Sequence, residues 1–170
     1  MKPVSSLVLT ATLLLFAGIA LRGPALAAEA PAKPLKIVFF TSSDTAQFGG
    51  LDAADLKDLY LGLQLRDKPG DDRQKKIRNR MFSIDYQGMP PPKEKMIAAL
   101  TGMTPKSYSK YWLGLVFATG NTRQVQVASL ADAVKGVSNY GVGVGYALSS
   151  ELEQAPLPAD MTVIHEIELH

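Results

Sequence analysis

MTPKSYSKYWLGLVFATGNTRQVQVASLADAVKGVSNYGVGVGYAL, residues 103–148, reads as helix, strand, helix, strand. Thr104-Pro105 supplies a cap and a first helical residue. Tyr108, Tyr111, Trp112 and Leu115 then fall on one helical stripe, with Val116 beside it, and Gly120-Asn121 ends the helix. Residues 124–128 alternate polar and apolar, which predicts a strand with Val125 and Val127 inward. Ser129 caps the next helix, whose inward residues are Leu130, Ala133, Val134 and Val137. Residues 141–146 (GVGVGY) alternate strictly, with glycines on one face. A phosphate-cradling loop of this composition needs a helix to start directly after it. This stretch reads as a strand itself, so the glycine face predicts close approach of a neighbouring backbone or helix.

Outward from that block, residues 35–40 (LKIVFF) are a nearly continuous apolar run, suited to a strand buried on both faces. Residues 41–45 (TSSDT) read as a loop. Asp52 can cap a helix whose buried stripe is Leu56, Leu59, Tyr60 and Leu63, with Gly62 at its end. Residues 65–80 are dominated by charge and read as a solvated loop, turning at 68–71 (KPGD) and leading into a charged edge strand. Residues 81–86 (MFSIDY) predict a short strand with Phe82 and Ile84 on one face and Ser83 and Asp85 on the other. Pro90-Pro91-Pro92 leads into a short helix carrying Met96, Ile97 and Leu100, closed by Gly102. Residues 153–160 read as loop, and 161–169 as a last strand whose charged face suits a sheet edge. The alternation of strands and helices predicts an α/β domain, with a mostly parallel sheet of about five strands flanked by helices.

The first 27 residues have the pattern of a signal peptide: Lys2, an uncharged apolar run over 7–21, and Ala25-Leu26-Ala27 before the expected cut. That run is about 15 residues, short of the roughly 20 that span a bilayer. No integral membrane span is expected once it is removed. Residues 28–34 then form a linker and 35–170 a single domain. Without Lys2 and Arg22, the 18 basic residues become 16, equal to the 16 acidic ones. A neutral processed chain argues against a nucleic-acid binder. The chain has no Cys, so an exported product holds together by burial alone. The expected location is periplasmic or secreted.

Residues 51–148 resemble the small periplasmic phosphate transporter substrate-binding-like proteins, short relatives of one lobe of type 2 solute-binding proteins. The resemblance rests on Leu51-Asp52-Ala53-Ala54-Asp55-Leu56 through Tyr60-Leu61-Gly62, on Tyr111-Trp112 through Val116-Phe117-Ala118-Thr119-Gly120, and on Ser129 to Val137 followed by Gly143-Val144-Gly145-Tyr146. It implies a periplasmic-binding-protein-like domain that holds phosphate or another small anion for transport or sensing. Full-length phosphate binders carry hydroxyls and backbone N–H groups in the loop after the strand matching 81–86, as an oxyanion requires. Here that loop is Gln87-Gly88-Met89-Pro90-Pro91-Pro92-Lys93-Glu94: the hydroxyls are gone and three prolines carry no N–H.

Ligands in open α/β sheets bind at the carboxyl ends of strands. The candidate contacts are therefore Thr41, Ser42, Ser43, Thr45, Lys93 and Arg123. The alternative is a non-catalytic accessory protein that has lost small-ligand binding and meets a membrane permease or a sensor protein. An enzyme is not expected: there is no Cys nucleophile, no G-x-S-x-G and no H-E-x-x-H, and the only histidines are His165 and His170. Neither a metal nor a cofactor is expected, since two terminal histidines do not make a metal site without further ligands.

Overall fold

The structure, a computed structural model, describes residues 33–66, 68–120 and 124–169. The signal segment, most of the linker, Arg123 and His170 lie outside the described residues. The element order is β1 (Lys36–Ser42), α1 (Ser43–Gly49), α2 (Ala53–Tyr60), α3 (Asp72–Arg80), β2 (Phe82–Tyr86), α4 (Pro91–Met96) continued by a π-turn (Ile97–Thr101), α5 (Pro105–Thr119), β3 (Gln124–Val127), α6 (Leu130–Tyr140), β4 (Gly143–Leu148), α7 (Ser149–Gln154) and β5 (Met161–Glu168).

The five strands form one sheet in the order β3-β2-β4-β1-β5. Its class is α/β as expected, but it is mixed and not mostly parallel. β2 runs parallel to both β3 and β4, whereas β1 runs antiparallel to both β4 and β5. Ile37–Thr41 and all six residues of β4 are buried. A strand covered on both faces looks the same in sequence whichever way it points, so the apolar run did not reveal the direction of β1.

Three further expectations are corrected. Thr41 and Ser42 end β1, and Ser43 begins α1, capped by the Ser42 side chain accepting from Thr45 N. Residues 72–80 are helical, not an edge strand: Asp71 and Gln74 cap α3 reciprocally, side chain to backbone. α3 buries only Arg78, so it has no apolar stripe to announce it. Of the residues read as loop, 153–160, the first two instead close α7, in which Glu151 accepts from Leu148 N.

The glycine face of β4 does permit close approach, although of side chains rather than of a backbone. A Cβ on Gly145 would lie 2.8 Å from the Phe40 ring, and one on Gly143 2.7 Å from Ile84 Cδ1. On the α2 side, Gly62 has φ +68°, and a Cβ there would sit 2.7 Å from the Trp112 ring. Only glycine meets both demands at that turn. Tyr60, Tyr146 and Phe39 form an edge-to-face cluster in the middle of the core, with the Tyr60 and Tyr146 rings 5.4 Å apart.

The charged 65–80 segment is tied to α2 through Asp55, which is fully buried. Asp55 accepts from Arg78 at 3.0 Å and from Lys68 at 2.5 Å, while Lys68 also reaches Asp52 at 2.8 Å. Burial alone would raise the Asp55 carboxyl, but Lys68 and Arg78 outweigh it and hold it below the usual range. The hydrogen bond from Lys68 brings Asp52 down to about 2. Both folded values lie below the unfolded one, so this contribution to stability is present above about pH 4 and is lost as pH falls toward 2. We expect Asp55→Ala to lower unfolding free energy by about 3–5 kcal/mol, because it strands the buried Arg78. It also flattens the acid limb between about pH 4 and 2. Urea unfolding at pH 7, 4 and 2.5 measures both.

Gly145→Ala is expected to cost about 1–3 kcal/mol, because the buried Phe40 ring has nowhere to go. Gly143→Ala costs less, since it presses only on the mobile end of Ile84. Thermal melts of the two variants side by side test the order.

Candidate functional site: the cleft between α5 and β3

β2 carries a carboxylate into the interior. Asp85 is fully buried, as is Ser83 on the same face, so the polar face of this strand does not look toward solvent. Asp85 Oδ2 accepts from Lys93 Nζ at 2.8 Å and from Gln124 Nε2 at 2.9 Å. Its Oδ1 accepts from the Tyr146 hydroxyl at 2.5 Å and from Tyr86 N at 2.8 Å. Four donors saturate a buried carboxylate, which is the condition for leaving it there charged. Burial, and then the nearby Asp85, push the Tyr146 and Tyr108 hydroxyls well above their ordinary value. Tyr146 therefore remains a proton donor at any physiological pH.

Lys93 stands in the first turn of α4, just after Pro91 and Pro92. Those prolines suit the first helical positions, where an N–H would have no helical partner. They also leave the helix start with few donors for an anion. Lys93 Nζ donates to Tyr86 O at 2.8 Å as well as to Asp85, and lies 5.9 Å from the centre of the Tyr108 ring.

Above this pair opens a cleft of about 350 Å³, a volume within the range of small-molecule sites. Its floor is Lys93 and Gly88-Met89, one wall is Gln124 and Gln126 of β3, and the other is α5. The α5 wall presents Tyr108, Trp112, Leu113 and Val116. Trp112 Nε1 is buried beside the Tyr108 phenol without a well-aligned hydrogen bond. Of the expected stripe, α5 buries Tyr108 and Trp112, and Tyr111 and Leu115 only in part, while Val116 beside it is exposed. Leu113, Val116 and Phe117 expose 58%, 40% and 82% of their surface.

The candidate contacts read from the sequence do not converge on one place. Thr41, Ser42 and Thr45 donate their hydroxyls to the carbonyls of the turn entering β4: Thr41 to Gly143 at 2.8 Å, Ser42 to Gly141 at 2.7 Å, and Thr45 to Gly141. Ser43 pairs with the Thr162 hydroxyl at 2.9 Å. Thr41 and Thr45 line a separate cavity of about 260 Å³ with Thr162, Val163 and Ile164. Because β1 is antiparallel to β4, and β2 parallel to it, the end of β1 and the end of β2 lie at opposite ends of the strands. Lys93 is thus remote from the hydroxyl cluster, and Arg123 is outside the described residues.

Sequence reasoning missed Asp85, Gln124, Gln126 and the outward part of α5. The available signal was an acidic residue inside a strand flanked by strands on both sides, where a polar face has no water to meet. No protein family, curated protein or solved structure matches this chain.

Lys93→Met leaves Asp85 buried without its cation. We expect a loss of about 3–5 kcal/mol, with most of it recovered when Asp85→Asn is added. A double-mutant cycle in urea measures the coupling.

Proposed function

We propose that this chain is an exported, non-enzymatic, solute-binding-like module, serving transport or sensing, whose ligand cleft lies between α5 and β3. The observation that carries this reading is a cleft of small-molecule size that combines an aromatic and apolar wall with a polar floor. Export rests on the signal pattern of the first 27 residues. Among the described residues no helix is long and apolar enough to cross a membrane.

The electrostatics of the floor narrow the solute class. Lys93 is neutralised by Asp85, so an inorganic anion gains from the one about what it loses to the other. Pro91 and Pro92 withhold backbone donors at the same spot. Two of the three Lys93 N–H groups are engaged, which leaves one, together with the Gln126 amide. An uncharged solute with an apolar body and a carbonyl, amide or hydroxyl group fits these donors better than phosphate does.

A second reading rests on the exposure of Leu113, Val116 and Phe117: a non-catalytic accessory protein that presents this face to a membrane permease or sensor.

Trp112 is the only tryptophan and lines the cleft, so its emission reports occupancy directly. Millimolar phosphate or sulfate is expected to leave the melting temperature within about 1 °C. A solute at a hundredfold excess over its dissociation constant adds about 2.7 kcal/mol. An uncharged solute that binds therefore raises the melting temperature by several degrees, shifts Trp112 emission, and loses both effects in Leu113→Asp. If phosphate moves both signals, the uncharged-solute assignment is wrong. If no compound of a broad panel moves either, the accessory reading replaces the solute one.

A further inference from the structure

The two edges of the sheet are built differently. β5 carries Glu166 and Glu168, which face Lys36 across the ladder at 2.7 and 4.0 Å, and its pairing with β1 is broken by a bulge between Phe39 and Phe40. Charges and bulges are the devices that keep an edge from recruiting another strand. β3, at the other edge, is Gln-Val-Gln-Val: its four paired residues include no charge and no proline, and their register with β2 is regular. That edge borders the cleft, whose opposite wall exposes Leu113 and Val116, with Phe117 one turn beyond Leu113 on the helix. Together these side chains form an apolar patch on the order of a few hundred Å², the size that marks an interaction surface.

We infer that a second copy of this chain pairs its β3 antiparallel with β3 across a two-fold axis, bringing the two α5 helices together over the junction. The strand is self-complementary in the way an isologous contact requires. With the axis at Val125, Val125 meets Val125, and Gln124 of one copy, its amide held by Asp85, meets the exposed Gln126 of the other. No like charges meet along the strand. The α5 sequence carries Lys106 and Lys110 in its first half and Leu113, Val116 and Phe117 in its second. Helices that approach through their second halves bury the apolar side chains and keep the four lysines at the ends. The second copy also supplies the missing side of the cleft, the part of the inference that rests on the solute-binding reading.

Light scattering and sedimentation of the processed chain over about 5–200 µM test the pairing. The expected result is twice the protomer mass. Gln126→Lys and Phe117→Ser each weaken association at least about tenfold. Both sites are exposed, so the two variants keep the wild-type melting temperature when compared as monomers. A wild-type chain that stays monomeric across the range overturns the inference. So does a dimer that neither variant weakens, or a monomer that instead takes up an added extended peptide along β3. The solute reading fails separately: a dimer whose Trp112 emission answers to no solute leaves the pairing standing. A monomeric Phe117→Ser chain, altered outside the cleft lining, that binds solute as tightly as the wild type overturns the role of the second copy in closing the cleft.

Discussion

A carboxylate withdrawn from water in the middle of a sheet dictates much of what surrounds it. Asp85 is tolerable only because four donors converge on its two oxygens. Those donors come from different elements: its own neighbour Tyr86, Lys93 in α4, Gln124 in β3 and Tyr146 in β4. The last three fix α4, β3 and β4 against β2; losing Lys93 leaves charge uncompensated in a low-dielectric interior, and losing a neutral donor leaves the carboxylate short of a hydrogen bond. The same saturation makes the cleft floor neutral. Lys93, expected as a candidate ligand contact, is half of an internal ion pair.

The reversed direction of β1 is the second constraint. It gives the hydroxyls of Thr41, Ser42 and Thr45 a structural task, clasping the end of β1 to the turn that feeds β4. In a parallel sheet the same residues would open at the end of the strands where Lys93 lies. Strand direction is a non-local property, decided by what pairs with what, and the pattern Ile37-Val38-Phe39-Phe40 satisfies either choice equally. The existence of β1 was therefore legible while its orientation was not.

Other elements divide along the same line between local and non-local causes. α2, α5 and α6 were readable because each has a side-chain cap and a core-facing stripe. β5 was readable as an edge because its charges alternate with apolar residues. α3 has a cap but no stripe, and its stability comes from the Arg78–Asp55 contact with a distant helix. α1 and α7 are short and polar, and they form because the ends of β1 and β4 position them. Asp85 was placed with Ser83 on the face of β2 opposite Phe82 and Ile84, and both prove fully buried. Whether a polar strand face meets water or α5 depends on how the layers stack, and four residues of alternation do not encode that.

The position of α5 ties these threads together. Trp112 seats against Gly62, where a side chain of any size would collide with the indole, and the Tyr108 hydroxyl donates to Tyr60 O at 2.9 Å. These contacts anchor the helix from one side and leave Leu113, Val116 and Phe117 facing out. The outward residues contribute little to holding this chain together, and they expose apolar area beside the sheet edge whose four described residues carry neither charge nor proline. Water covers that surface at a standing cost, roughly 25 cal/mol for each Å² that could be buried. A strand laid along β3 meets its backbone donors and acceptors and removes that area from water in a single step. It would also turn an open cleft into an enclosed one, where polar groups such as the remaining N–H of Lys93 meet less competition from water. Edge, helix face and cleft thus present one incomplete structure, and its missing part has the chemistry of the strand already beside it.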